Sequence, residues 1–353
     1  MDIQEIPVEG YERVVRADDP KSGLHAIIAV NDTTLGPALG GMRMWPYATE
    51  QEALTDVLRL SKGMTYKSAI AHTGLGGGKS VIIGDPANKS RELFLAMGDF
   101  VESVGGQYIT AEDVNIGIAD LEIVKERTSY VTGLSRESGS SGNPSPYTAH
   151  GVYLGLKYCV QRVFGSDDLT GRKIAILGVG SVGAPLARKL AEDGAEIYAH
   201  DLDESRVAAI AKDFPIHSVS EEEVLTMDCD VFAPCALGGV LNDNTIPKLG
   251  CKIVAGAANN VLLEVQDGTD LRERGILYAP DYVINAGGII NVAVELLPDG
   301  YNEEEALRRI RRIPEALKET FDIAEAEGIS TAEAADMRAQ QILEEARASK
   351  TQA

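Results

Sequence analysis

Positive charge is scarce in this chain. Lysine and arginine number 33 against 54 aspartates and glutamates, a formal net charge of −21 at pH 7. Nucleic acids and anionic membrane surfaces favour a basic face, so this balance argues against both as partners. Long apolar runs are missing too. No stretch approaches the ~20 uninterrupted apolar residues that a membrane-spanning helix needs. The opening residues, MDIQEIPVEGYERVV, show neither a basic region nor an apolar one. No signal peptide is therefore expected, and a cytoplasmic location is. Cysteine is sparse: Cys159, Cys229, Cys235 and Cys251 form no CxxC pair, and three lie in or beside apolar runs. Reduced, buried thiols fit this pattern better than a disulfide framework or a metal centre.

What is there points to two domains. A chain of 353 residues exceeds one ordinary core at roughly 100–200 residues per domain. Residues 24–30 (LHAIIAV) read as a strand, followed by a glycine-rich turn over 36–41. Thr49 and Glu52 fit a capping box, with Leu54, Val57 and Leu58 as the apolar stripe of a helix expected to reach about Lys62. A short strand is expected at 80–84, and an amphipathic helix through Leu93, Met97, Phe100 and Val104, ended by Gly105-Gly106. The segment SGSSGNPSP (138–146) is the strongest linker. Beyond it strands are expected at 173–177, 196–199, 230–233, 252–255 and 276–278, alternating with helices. That alternation argues for an open parallel sheet covered on both faces. From Glu303 the chain turns helical and charged, with Pro314 expected to kink it.

A nucleotide site is legible in the second half. Gly178-Val179-Gly180-Ser181-Val182-Gly183 follows the apolar strand KIAIL and opens a helix. The first glycine makes the tight turn, the second lets backbone approach a pyrophosphate, and the third lets helix and strand pack closely. Asp201 closes the next strand, at about the ~20-residue spacing of a ribose-binding acid. A carboxylate there favours NAD over NADP, because it accepts from a 2′-hydroxyl and repels a 2′-phosphate. The bland alternative is an acid that ends a strand by chance.

Two lysines sit in unusual settings. Lys67 ends GMTYK, just after the expected helix, and Lys79 ends GGGK, just before an expected strand. Three glycines in a row cost backbone entropy and need a reason. A phosphate loop is excluded by spacing, since GGGKS does not complete GxxxxGK[ST]. Close approach to a small anionic substrate is the other reading; a solvated surface charge is the ordinary one. Asp113, in YITAEDVN, is either a cap or a proton-transfer partner for a lysine.

Together these motifs resemble the glutamate/leucine/phenylalanine/valine dehydrogenase family. The matching segments are GPALGGMRMW (36–45), LRLSKGMTYK (58–67), GGGKSVIIGDP (76–86), YITAEDV (108–114), SSGNPSPYTAHGVY (140–153), LGVGSVG (177–183), DVFAPCALGG (230–239), VAGAANN (254–260) and YAPDYVINAGGIINV (278–292). Within the family the segments look most like those of the leucine-specific members. Met42 and the stretch Thr73-Gly74-Leu75 depart from that pattern.

The resemblance implies an α/β fold of two domains with a cleft between them, the second a Rossmann-type, doubly wound, mostly parallel sheet. Residues 1–147 are then the substrate-binding, catalytic and oligomerisation domain, and 148–328 the NAD-binding domain. The helices of 329–353 are candidates to pack back on the first. The resemblance assigns the substrate carboxylate to Lys67, the general base to Lys79 and proton transfer to Asp113. It sets Gly40 and Gly41 against the substrate backbone, Asn260 beside substrate and nicotinamide, and Thr148 near the carboxamide. Leu39, Met64, Ala111, Ile289 and Val292 line the side-chain pocket; glutamate-specific members carry a lysine at the position of Leu39. Gly178, Gly180, Ser181, Val182, Gly183 and Asp201 hold the cofactor. The implied activity is NAD-dependent, reversible oxidative deamination of a branched-chain L-amino acid by a homo-oligomer, without a metal. Phenylalanine or valine specificity, and a non-catalytic NAD sensor, are the alternatives.

Overall fold

The computed structural model describes residues 1–236 and 238–352, with only the backbone described at Ser138 and Gln352. Leu237, inside the segment DVFAPCALGG, and Ala353, the last residue of the 329–353 segment, lie outside the described residues. The chain divides into two compact units. The first takes Met1–Asn143, Val292–Glu303 and the stretch from Ala339 onward; the second takes Pro144–Asn291 and Glu304–Arg338.

The first unit runs β1 (Asp2–Glu5), β2 (Arg13–Asp19), β3 (Leu24–Asp32), β4 (Ala38–Trp45), α1 (Glu50–Ile70), β5 (Gly76–Ile83), α2 (Arg91–Ser103), β6 (Tyr108–Ala111) and α3 (Ile118–Lys125). Its six-stranded sheet has the order β1-β2-β3-β5-β4-β6. The β1 to β5 side pairs antiparallel, while β4 pairs parallel with both β5 and β6. The apolar run of β3 has a simple cause. Ala26, Ile28 and Val30 enter one core with Phe94, Met97 and Phe100 of α2 and Leu121 of α3. Ile27 and Ala29 enter another with Ala53 and Val57 of α1. A strand buried on both faces reads as continuous hydrophobicity rather than alternation.

Three expectations are corrected here. Helix α1 runs on to Ile70 instead of stopping near Lys62. Gly63 inside it costs roughly 1 kcal/mol of helix stability, which the buried face of Ser61, Thr65 and Ser68 offsets by packing on the sheet. Lys67 is therefore in the last turn of α1, not beyond it. The glycine-rich stretch 36–41 turns only at its start, where Gly36 has φ +155°; from Ala38 it is strand. The strand expected at 80–84 begins at Gly76, so Lys79 lies within β5.

The second unit runs α4 (Ser145–Phe164), β7 (Lys173–Leu177), α5 (Gly183–Glu192), β8 (Glu196–His200), α6 (Glu204–Ala211), β9 (Ile216–Ser218), α7 (Glu221–Thr226), β10 (Val231–Pro234), β11 (Ile253–Val254), α8 (Gln266–Glu273), β12 (Leu277–Tyr278) and α9 (Asp281–Ile284). Then follow α10 (Gly287–Val294), α11 (Glu303–Ile310), α12 (Ile313–Glu327) and α13 (Thr331–Gln352). All its strands pair parallel. The order β9-β8-β7-β10-β11-β12 is the 3-2-1-4-5-6 order of the doubly wound dinucleotide fold. Ile174, Ala175 and Ile176 are fully buried, as a central parallel strand requires. Pro314 does not kink a continuous helix. It sits in the first turn of α12, where a missing N–H costs nothing. Among the described residues no helix is long and apolar enough to cross a membrane.

Candidate active site

Close backbone packing builds the centre of the first unit. A Cβ on Gly40 would lie 1.8 Å from the carbonyl oxygen of Gly78, and one on Gly41 2.7 Å from the Cβ of Asp113. On Gly77 it would lie 2.0 Å from the backbone nitrogen of Thr65, and on Gly76 2.1 Å from the carbonyl oxygen of Asp32. On Gly78 it would meet the Tyr108 ring at 2.7 Å. The glycine run before Lys79 thus has a reason within the protein: α1, β4 and β6 all press on β5. Substrate approach is not needed to explain it.

That packing carries Lys79 into the interior, where it is 5 % exposed. Its Nζ lies 3.1 Å from Oδ2 of Asp113. The Nε of Arg43 donates to the same oxygen at 2.8 Å. Arg43 Nη1 donates in turn to Oδ2 of Asp56 at 2.9 Å, and the hydroxyl of Tyr47 donates to that oxygen at 2.6 Å. Arg59 Nη2 donates to Oδ1 of Asp56 at 3.1 Å. A chain of alternating charge therefore runs from the buried lysine to α1.

The electrostatics follow from this arrangement. Burial pushes the Lys79 ammonium below the usual lysine range; Asp113 opposes that push and Arg43 adds to it. Burial alone would raise the Asp113 carboxyl, yet Lys79 and Arg43 outweigh it and hold it below the carboxylate range. Asp56 is likewise held low, by Tyr47, Arg43 and Arg59 against burial.

The other anticipated residues are placed as follows. Leu39, on β4, is 2 % exposed, and Ala111, half-buried at the end of β6, pairs in register with Gly41. Met64 and Lys67 are half-buried on α1, and the Met64 Cγ would be 3.4 Å from a Cβ on Gly40. Ile289 and Val292 are buried on α10, three residues apart and so on one face. Thr148, on α4, donates to the Pro144 carbonyl at 3.2 Å and packs on Gly288. Asn260 is exposed, with φ +51°, and its carbonyl accepts from the N–H of Gly239 at 2.7 Å.

Three residues were not anticipated. Arg43 and Asp56 had a signal: each is a lone charge beside residues that pattern as buried, in ALGGMRMW and EALTDVL. Glu295 had none. Its carboxylate accepts from Thr132 Oγ1 (2.5 Å), Ser140 Oγ (2.5 Å) and the backbone N–H groups of Gly133 (3.2 Å) and Ser141 (2.8 Å). Donors so far away in sequence cannot be paired with it by pattern alone.

The second unit carries the glycine turn expected of a nucleotide site. Gly178 turns at φ +96°, and a Cβ there would meet Ala236 at 2.7 Å. Gly183 packs on the Gly178 carbonyl, 2.0 Å from where its Cβ would be. Gly180 is open, with only an Arg206 nitrogen 3.7 Å from its Cβ position. Val182 caps α5 without a side-chain acceptor, though within the first turn Ala184 and Leu186 already donate to the Gly180 and Val182 carbonyls and Pro185 has no N–H. Ser181 is exposed beside it. Asp201 Oδ2 accepts from Val179 N–H at 2.8 Å, and Arg206 Nη1 stands 3.6 Å from its Oδ1. Two tight glycines, one open glycine and an uncapped helix fit a bound pyrophosphate.

Sequence comparisons agree with this picture. The Glu/Leu/Phe/Val dehydrogenase dimerisation domain matches residues 11–130, and the Glutamate/Leucine/Phenylalanine/Valine dehydrogenase domain matches residues 196–350. A leucine dehydrogenase of Geobacillus stearothermophilus is 51 % identical over 335 residues, 95 % of this chain and 91 % of the relative. A phenylalanine dehydrogenase of Lysinibacillus sphaericus is 45 % identical over 343 residues, covering 96 % and 90 %. The crystal structure of L-tryptophan dehydrogenase from Nostoc punctiforme superposes with a TM-score of 0.85 at 43 % identity, over 96 % of this chain and 97 % of the other.

Proposed function

The chain belongs to the Glu/Leu/Phe/Val dehydrogenase family and is an amino-acid dehydrogenase, and we propose that it oxidatively deaminates branched-chain L-amino acids, leucine first, with NAD. The products are the 2-oxo acid, ammonia and NADH, and the reaction is reversible. The observation that carries this reading is the buried pair of Lys79 and Asp113, 3.1 Å apart. A lysine whose proton is loosened by burial, beside a carboxylate that stays ionised, is an acid–base device.

The roles follow from the chemistry. Lys67 neutralises the substrate carboxylate. NAD, held by Gly178, Gly180, Ser181, Val182, Gly183 and Asp201, supplies the acceptor for the hydride lost from Cα. Thr148 orients the carboxamide end, and Asn260 meets both reactants. Loss of the hydride leaves an iminium carbon. Lys79, neutral, takes a proton from water as its oxygen bonds to that carbon. Asp113 relays that proton from Lys79 to the departing nitrogen, which leaves as ammonia while the new hydroxyl collapses to the ketone and returns its proton to the Lys79 amine. Gly40 and Gly41 allow the substrate backbone to lie close. The apolar lining of Leu39, Met64, Ala111, Ile289 and Val292 offers no cation for a side-chain carboxylate, and an unpaired buried carboxylate is costly. The match to a dimerisation domain supports a homo-oligomer, which we place in the cytoplasm.

The test is NADH formation with L-leucine, L-valine, L-isoleucine, L-phenylalanine, L-tryptophan and L-glutamate under one set of conditions. Leucine, valine and isoleucine should give graded kcat/KM values, because one methylene in an apolar pocket is worth only ~1–3 kcal/mol. Glutamate or an aromatic amino acid ranking first overturns the reading.

A further inference from the structure

Arg43 is a cation inside an apolar strand, between Met42 and Met44, both almost fully buried. It is gripped on two sides, by Asp113 through Nε at 2.8 Å and by Asp56 through Nη1 at 2.9 Å. Asp56 is itself fixed by Tyr47 and Arg59. Lys79 and Arg43 converge on one oxygen of Asp113, Oδ2. Among the described residues, Oδ1 of Asp113 has no hydrogen-bond partner.

We propose that Arg43 is a positioning residue for the reaction: clamped by Asp56, it holds Asp113 through Oδ2, leaves Oδ1 as the face that carries the proton, and sets the charge that Lys79 meets. The inference rests on Lys79 being the base. An isolated carboxylate beside Lys79 would stabilise the ammonium and keep it protonated. A guanidinium on the same oxygen divides that attraction and adds a like charge, so the lysine releases its proton more readily. The guanidinium stays charged throughout. Asp56, on α1, also bears on Lys79, while Tyr108 and Glu112, on and after β6, feel the charge of Asp113. Tyr108 is buried and its phenol is pushed up, so it stays neutral. Glu112 is pushed up by burial and by Asp113. Asp56 acts on Lys79 in the sense opposite to Arg43.

This opposition gives the test. The pH profile of kcat/KM with L-leucine and NAD is measured for the full-length wild type, Arg43→Gln, Asp56→Asn and Lys79→Ala. Arg43→Gln removes a positive charge, so its acid limb should move up by about one pH unit, lowering the rate about tenfold below the limb. Asp56→Asn removes a negative charge while keeping one oxygen for Tyr47 and Arg43, which share Oδ2. Its limb should move down, while the loosened clamp lowers the plateau. A purely structural role would lower plateaus and leave both limbs in place. If Arg43→Gln does not fold, Asp56→Asn decides alone, and an unmoved or raised limb overturns the inference. Inactive Lys79→Ala with unmoved limbs in the other variants refutes the role of Arg43 and spares the base. Wild-type turnover in Lys79→Ala refutes the base assignment itself.

Discussion

Gly77 and Thr65 meet backbone to backbone: a Cβ on Gly77 would lie 2.0 Å from the Thr65 nitrogen and 2.4 Å from its Cα. The contact joins the strand that carries Lys79 to the helix that carries Met64 and Lys67. Gly77→Ala should therefore push α1 off the sheet. We expect a loss of about 1–3 kcal/mol of stability, the usual cost of overpacking, and a rise in KM for the amino acid larger than the change in KM for NAD. Thermal unfolding and steady-state kinetics check this. An unchanged melting temperature would show that the two elements separate freely.

Lys79→Ala should leave cofactor binding nearly intact and cost roughly 10²–10⁴-fold in kcat, the range of a positioned acid–base group. The wild-type pH profile follows from the same residue. The neutral amine is the active form, so the rate rises as pH increases through its pKa. Burial first, then Arg43, lower that pKa, so the rise should be centred below the ~10.4 of a free lysine. A rise centred at or above the free-lysine value would contradict the buried setting.

Much of this was legible from residues alone. The position of the GVGSVG segment could be read because it is local: a strand, a turn and a helix start lie within a few residues of each other. Lys79 stood out through a glycine run whose cost demands a reason, while Lys67 and Asp113 took their expected roles from the family resemblance of GMTYK and YITAEDV. Element bounds failed where tertiary packing overrode propensity. Gly63 looked like a helix end and is spanned by α1. The glycines of β4 looked like a turn and those of β5 like a lead-in to a strand; both are strand, because neighbouring backbone lies where their side chains would be. Arg43 went unread because its partners, Asp56 and Asp113, are 13 and 70 residues away: the packing of α1 brings the first, and the parallel pairing of β4 with β6 the second.

Glu295 should act as an anchor for the stretch 132–141. Its carboxylate takes two hydroxyl and two backbone donors from Thr132, Gly133, Ser140 and Ser141. Glu295→Ala strands these donors, and each buried one left unmet costs about 1–3 kcal/mol. We expect lowered thermal stability, with hydrogen exchange accelerated first at Gly133 and Ser141. Uniform exchange across the chain, with no early loss at those two amides, would deny the anchor role.

Cofactor choice should turn on Asp201 and Arg206. In the proposed NAD complex, Asp201 faces the ribose and repels a 2′-phosphate, so kcat/KM should favour NAD over NADP. Arg206 already stands beside that carboxylate, 3.6 Å from Oδ1, and beside the open Gly180. Asp201→Ser removes the repulsion and releases the guanidinium to meet a phosphate. A charge-assisted hydrogen bond contributes about 1.5–3 kcal/mol, so NADPH should bind roughly 10–100-fold tighter in the variant, read by cofactor fluorescence independently of turnover. NADH binding should weaken, because the ribose loses its acceptor and the Val179 N–H loses the oxygen it donates to at 2.8 Å. Adding Arg206→Ala should cancel the gain for NADPH without restoring NADH. If the double variant binds NADPH as tightly as Asp201→Ser, Arg206 is not the phosphate partner. If the wild type prefers NADP, Asp201 does not face the ribose at all.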